Sequence, residues 1–157
     1  MVEIIEAKEE HIPALGNLIM DFIKYTEEIN PVFGAPETAK QIIIEKNIRP
    51  AIKSETSKII LAQDNGQIIG YSYAVIMEPD PATSKRDKYG YIHDLFVIPE
   101  YRRKGIGKQL FDEIMKWFHT LDIDRVELDV IVGNYLANSF WKKQGFNDHF
   151  HRLYKAM

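Results

Sequence analysis

Apolar positions along the chain recur with two periods, and the switches between them divide it into strands and helices. Val2–Glu6 is a short alternating run and reads as a strand. Over residues 9–27, Ile12, Leu15, Leu18, Ile19, Phe22 and Ile23 fall three and four apart, the stripe of an amphipathic helix. Pro13 fits only its first turn. A second helix is expected over residues 36–47, ended or kinked by Arg49-Pro50, with a turn or loop over residues 51–57. Residues 59–62 and Gln67–Met77 read as strands joined by the Asp64-Asn65-Gly66 hairpin turn. Residues 78–88 read as a loop. Residues 91–98, Tyr-Ile-His-Asp-Leu-Phe-Val-Ile, form the next strand and stop at Pro99. The period then lengthens: Ile106, Leu110, Ile114, Trp117 and Phe118 predict a helix over residues 105–120. A strand over 125–132, a helix over 135–144 closed by Gly145, and a final strand or strand pair over 146–154 complete the chain.

The strands before residue 98 suit an antiparallel meander, with the first strand at its edge. The strand–helix–strand step from residue 91 to residue 132 is a right-handed crossover and requires parallel pairing. The expected class is therefore α/β: a mixed, mostly antiparallel central sheet of six or seven strands with flanking helices. A length of 157 residues without linker or repeat suits one domain over 1–157. A net charge of -3 gives no basic surface, which argues against nucleic acid as a partner. The absence of cysteine excludes disulfides, thiolate metal sites and a cysteine nucleophile. The five histidines show no metal-ligand spacing, so no metal is expected. Residues 1–10 are charged and lack the apolar core of a signal peptide, and no run is long enough to span a membrane. The expected location is cytoplasmic, with no membrane partner.

One stretch carries chemistry. Between the strand ending at Val97 and the helix starting near Ile106 lies Arg102-Arg103-Lys104-Gly105-Ile106-Gly107-Lys108. The first amides of a helix have no intrahelical partner, and its dipole favours an anion there. Two glycines let a phosphate approach the backbone, and the basic side chains add charge. A diphosphate held at a helix start is the reading. Neither a GxxxxGK[ST] nor a G-x-G-x-x-G pattern is present, which argues against NTPases and dinucleotide dehydrogenases.

The run Arg102-x-x-Gly105-x-Gly107, after a strand ending Leu95-Phe96-Val97, resembles the central motif of the GCN5-related N-acetyltransferases. A second match follows, Asn134-Tyr135-Leu136-Ala137-Asn138-Ser139-Phe140-Trp141-Lys142-Lys143-Gln144-Gly145-Phe146. The resemblance implies an acetyltransferase-like fold and acetyl-CoA as the acyl donor. It also implies that backbone groups of Phe96 and Val97 bond the pantetheine arm. The loop of Arg102, Arg103, Lys104, Gly105, Ile106, Gly107 and Lys108 would receive the pyrophosphate. Asn134 would bond the arm, although after Gly133 it also suits a turn or helix cap. Family members often form homodimers, so a homodimer is expected.

The implied reaction is acetyl transfer from acetyl-CoA to a primary amine of a small molecule, polyamine-like, amino acid or related. A protein or peptide acceptor is one alternative, and a non-catalytic acyl-CoA-binding regulatory module is another. The amine must lose a proton before it attacks, and the developing oxyanion needs a donor, for which the Val97 amide is the family-based candidate. Resembling polyamine acetyltransferases carry a glutamate where His93 stands, next to an aspartate; here the pair is His93-Asp94. His93 suits a base and Asp94 an orienting or attracting role. Strict strand alternation would put Tyr91, His93, Leu95 and Val97 on one face and Ile92, Asp94, Phe96 and Ile98 on the other. Where the family usually has a tyrosine that protonates the leaving sulfur, this chain has Trp141, whose indole N–H has no proton to give at useful pH. Tyr135 and Tyr154 are substitutes by residue type only.

Overall fold

The computed structural model describes residues 1–157. Five strands form one sheet in the order β1 (Val2–Glu6), β2 (Ser57–Asp64), β3 (Gln67–Met77), β4 (Tyr89–Val97), β5 (Val126–Glu127). β1 through β4 are antiparallel, and β5 pairs with β4 in parallel, as the crossover requires. Asn65 and Gly66 turn β2 into β3 with φ of 50° and 82°, the left-handed pair that a two-residue hairpin uses.

Helices cover both faces. α1 (Ile12–Ile29) packs on one face together with α2 (Ala39–Ile43) and α3 (Arg49–Lys53). The chain does not break at Pro50. A π-helical turn, Ile44–Ile48, joins α2 to α3, so the missing Pro50 amide is absorbed by a wider turn while Ile44 and Ile48 stay buried. α4 (Ile106–Thr120) and α5 (Tyr135–Lys143) cover the opposite face. α4 buries Ile106, Leu110, Phe111, Ile114 and Phe118. Gly90 of β4 lies beneath it; a Cβ there would come 2.5 Å from the Phe118 ring.

Three expectations about the sheet are corrected. It has five strands rather than six or seven, and only Val126 and Glu127 of residues 125–132 pair. The β4–β5 ladder ends at Tyr91↔Glu127, beyond which the two segments separate. No strand forms over 146–154. Phe146 is held by the Phe111 and Trp141 rings at 6.0 Å and 5.3 Å, and the chain beyond it is exposed. A strand needs a ladder partner, and β5 offers two residues.

Alternation along β4 is also interrupted. Tyr73 pairs with Asp94 and Ala74 with Ile92, leaving His93 unpaired in a bulge. The extra residue shifts the pleat by one. Ile92 and Val97 belong to the core under α4, with Leu95 packed against it, whereas Phe96 and the Asp94 partner Tyr71 belong to the core under α1. His93 stacks on Tyr73, which packs on the α1 side as well. His93 and Asp94 therefore share a face instead of opposing each other.

Candidate active site

The separation of β4 from β5 opens a trough of about 610 Å³. β4 lines it from Ile92 to Val97. The loop before α4, the segment 128–131 and the start of α5 close one side; Phe22, Tyr25 and Phe33 close the other.

One wall is an unsatisfied strand edge. The Ile98 amide donates to the Ile69 carbonyl at 3.0 Å. In an antiparallel ladder bonded pairs alternate, so Phe96–Tyr71 is the next bonded pair. Leu95 and Val97 then turn their amides and carbonyls away from β3, into the trough. The Val97 amide thus faces the trough. Phe96 points its main chain at β3 instead, and its ring packs at 5.6 Å from Phe22. Of the expected pair Phe96 and Val97, Val97 turns its main chain to the trough, and Leu95 does the same.

At the end of β4 the chain turns through Arg103 (φ 63°) and Gly105 (φ 79°) into α4. The first bond into that turn is Gln109 N–H to the Gly105 carbonyl, at 3.1 Å. The amides of Ile106, Gly107 and Lys108 have no chain partner, and a Cβ on Gly105 would meet nothing within 4 Å. Free amides at a helix start form a cradle suited to an anion. Arg103 and Lys104 are exposed beside it, and Lys108 is paired with Asp112 at 2.7 Å.

Arg102 does something else. Its Nε donates to the Val97 carbonyl at 2.8 Å, and its guanidinium lies over the rings of Tyr25 and Phe96 at 5.1 and 5.4 Å. It braces the β4 end through its Nε while still lining the trough.

Asn134 takes the helix-cap role expected of it. Its Oδ1 accepts from the Ala137 amide at 3.1 Å, capping α5, and from the Tyr25 hydroxyl, also at 3.1 Å. Its side-chain nitrogen has no chain partner and lies on the trough wall. Tyr25 was not among the residues the sequence singles out. It stands 109 positions from Asn134 in a helix whose stripe reads as core. Trp141 is buried among Phe111, Phe140 and Phe146, with ring centroids 4.8–5.6 Å away, and reaches the trough wall. Tyr135 and Tyr154 are 82% and 92% exposed and lie off the trough, so neither stands in for the missing tyrosine.

The far end holds the titratable groups. Asp94 Oδ2 accepts from the Tyr71 hydroxyl at 3.0 Å. Burial pushes the Asp94 carboxyl up to about 6, and the Tyr71 bond only partly offsets it. His93 stacks on Tyr73 at 5.0 Å and meets Tyr91 edge-on at 4.9 Å. Burial pulls its ring below the usual histidine value, against the charge of Asp129, so at neutral pH it is uncharged. A second hollow, lined by Arg86, Lys88, Arg125, His149 and two aspartates, lies outside this site. Arg86 and Arg125 there are both paired with Glu127. No group of three or more histidine, cysteine, aspartate or glutamate side chains is placed to hold a metal ion, and no helix is long and apolar enough to cross a membrane.

A free helix-start cradle continuous with an unpaired strand edge defines a CoA-dependent acyltransferase site. The acetyltransferase (GNAT) family profile matches residues 22–146, and the chain belongs to that family of acetyl-CoA-dependent N-acetyltransferases. Over 93 residues it is 31% identical to an uncharacterized N-acetyltransferase of Archaeoglobus fulgidus; the match covers 55% of this chain and 57% of that protein. The BH1408 protein of Bacillus halodurans, solved as a tetramutant, superposes with a TM-score of 0.85 over 99% of both chains at 23% identity. AAC(6')-Iy in complex with the bisubstrate analogue CoA-S-monomethyl-acetylneamine superposes with a TM-score of 0.75, covering 100% of this chain and 98% of that one, at 17% identity.

Proposed function

We propose that this single domain transfers an acetyl group from acetyl-CoA to a primary amine of a small molecule by direct attack. The observation that carries the reading is the outward-facing Val97 amide in the same trough as the half-buried Asp94 carboxylate. The amides of residues 106–108 hold the diphosphate, with Arg103 and Lys104 supplying charge. Leu95, Val97 and Asn134 hold the pantetheine arm. Asp94, ionised above about pH 6, removes the ammonium proton, and His93 and its aromatic neighbours place the amine. The N–C bond forms, the C–S bond breaks, and the Val97 amide stabilises the charge on the carbonyl oxygen between the two events. The Tyr25 hydroxyl stands closest by type to the role Trp141 leaves open. The similarity to an enzyme solved with a CoA–neamine analogue supports a small amine acceptor.

Free-thiol release from acetyl-CoA across polyamines, amino acids, aminoglycosides and short peptides tests this. Release with one small-amine class supports it. Release with peptides alone, or with no acceptor, overturns it, the latter in favour of a non-catalytic binding module. A homodimer is part of the proposal: β5 has no neighbour on its outer edge, and Phe150, Leu153 and Tyr154 are exposed. Sedimentation velocity tests it, and a monomer at micromolar concentration refutes it.

A further inference from the structure

Charge is segregated along the trough. The cations that line it, Arg102, Arg103, Lys108 and Lys143, belong to the loop before α4, its first turn and α5. Its two carboxylates, Asp94 and Asp129, flank His93. Neither carboxylate is in an ion pair with any side chain of the protein, although most of the chain's other ion pairs are made by surface acids. Asp94 accepts only the Tyr71 hydroxyl, at 3.0 Å, and Asp129 only the Tyr91 hydroxyl, at 2.8 Å. Each therefore keeps an oxygen free for a donor the chain does not supply.

Beside them stands a row of three aromatic rings, of which His93 lines the trough. Tyr73, His93 and Tyr91 are contiguous: the first two rings stack at 5.0 Å and 22°, and the last two meet edge-on at 4.9 Å and 74°. An uncharged imidazole and two phenols offer π faces to a cation, and none of the three rings has a lysine or arginine of the protein over it. The Tyr91 phenol is raised well above its usual value, first by burial, then by the Asp129 bond and the charges of Asp129 and Asp94.

We propose that the acceptor carries a second cationic centre, held at Asp129 and the Tyr91–His93–Tyr73 wall while the reacting amine sits at Asp94. The enzyme is on this reading a diamine-type N-acetyltransferase. The inference rests on the acetyl-transfer reading above. Asp94 and Tyr91 are three positions apart on β4, at most about 10 Å along a strand, the span of a chain of several methylenes. A monoamine of the same length leaves the distal site empty.

The test uses the whole protein and a series of α,ω-diamines with three to six methylenes, each paired with the n-alkylamine of equal length. Wild type is expected to favour a diamine over its monoamine by at least about tenfold in kcat/KM, and D129N to shrink that ratio toward one, chiefly through KM. Y91L, which removes the ring and the Asp129 partner together, should do the same, whereas Y91F, which keeps the ring, should keep part of the preference. Calorimetry of the same diamines on the CoA-loaded protein gives a readout without turnover. Diamine binding that is lost in D129N sustains the inference even if no acceptor releases thiol, a result that would instead sink the acetyl-transfer reading. Equal rates for diamines and monoamines in wild type, or an unchanged ratio in both D129N and Y91L, overturn it.

Discussion

The Tyr71 hydroxyl donates to Asp94 Oδ2 at 3.0 Å, joining a fully buried phenol of β3 to a carboxylate that has no ionic partner. The fold thereby holds a carboxyl group at a cost. Its pKa rises from 3.8 to about 6, so the stability tied to its protonated form is complete below about pH 4 and is lost as pH rises through about 6. The shift corresponds to about 3 kcal/mol at most. D94N keeps an acceptor for Tyr71 without the charge. Its melting temperature is expected to exceed that of wild type at pH 8, with the gap closing near pH 4.

The same substitution separates stability from activity. With Asp94 as base, kcat/KM should fall about tenfold per pH unit below about pH 6, and D94N should lose about a hundredfold at pH 8 together with that acid limb. H93A should weaken turnover but keep the limb. A limb that survives in D94N and disappears in H93A would reverse the two roles.

On the proposed reading the Tyr25 hydroxyl takes the part that Trp141 cannot play. Y25F is expected to lower kcat about tenfold while the protein folds normally, because Asn134 still caps α5. W141Y is expected to gain no activity and to melt lower, since a smaller ring leaves space among Phe111, Phe140 and Phe146. A faster W141Y enzyme would show that the sulfur waits for a proton from that position.

Arg102 and its neighbours should separate by salt dependence. R102A loses the bond to the Val97 carbonyl and the stack on Tyr25 and Phe96, costing about 1–3 kcal/mol in urea unfolding and raising KM for acetyl-CoA. R103A and K104A should leave stability unchanged and raise the same KM most at low ionic strength, since exposed charges are screened.

G90A tests the packing that positions β4. Its new methyl would meet the Phe118 ring, and the expected cost is about 1–3 kcal/mol, read as a lower urea midpoint at constant slope.

The donor end of the site was legible along the chain because its parts are neighbours in it. The strand ending at Val97, the two glycines and the amphipathic stripe from Ile106 lie within about one supersecondary unit. Free amides follow from a helix start whatever the rest of the chain does. Order, hairpin and parallel crossover could be read for the same reason. The acceptor end could not. A single unpaired residue at His93 reverses the pleat, and nothing in Tyr91-Ile92-His93-Asp94 marks the bulge, which exists only against β3. Tyr25 meets Asn134 across 109 residues, and Asp129 meets Tyr91 across 38. Arg102 gives no sign in sequence that its Nε binds the Val97 carbonyl, which the end of the β3–β4 pairing leaves free. The extent of β5 was likewise a matter of where two segments part, not of how well residues 125–132 alternate. Local periodicity and helix-start chemistry are properties of consecutive residues. Register, splaying and the meeting of distant side chains depend on packing between elements, and that packing decides which face His93 and Asp94 present to the trough.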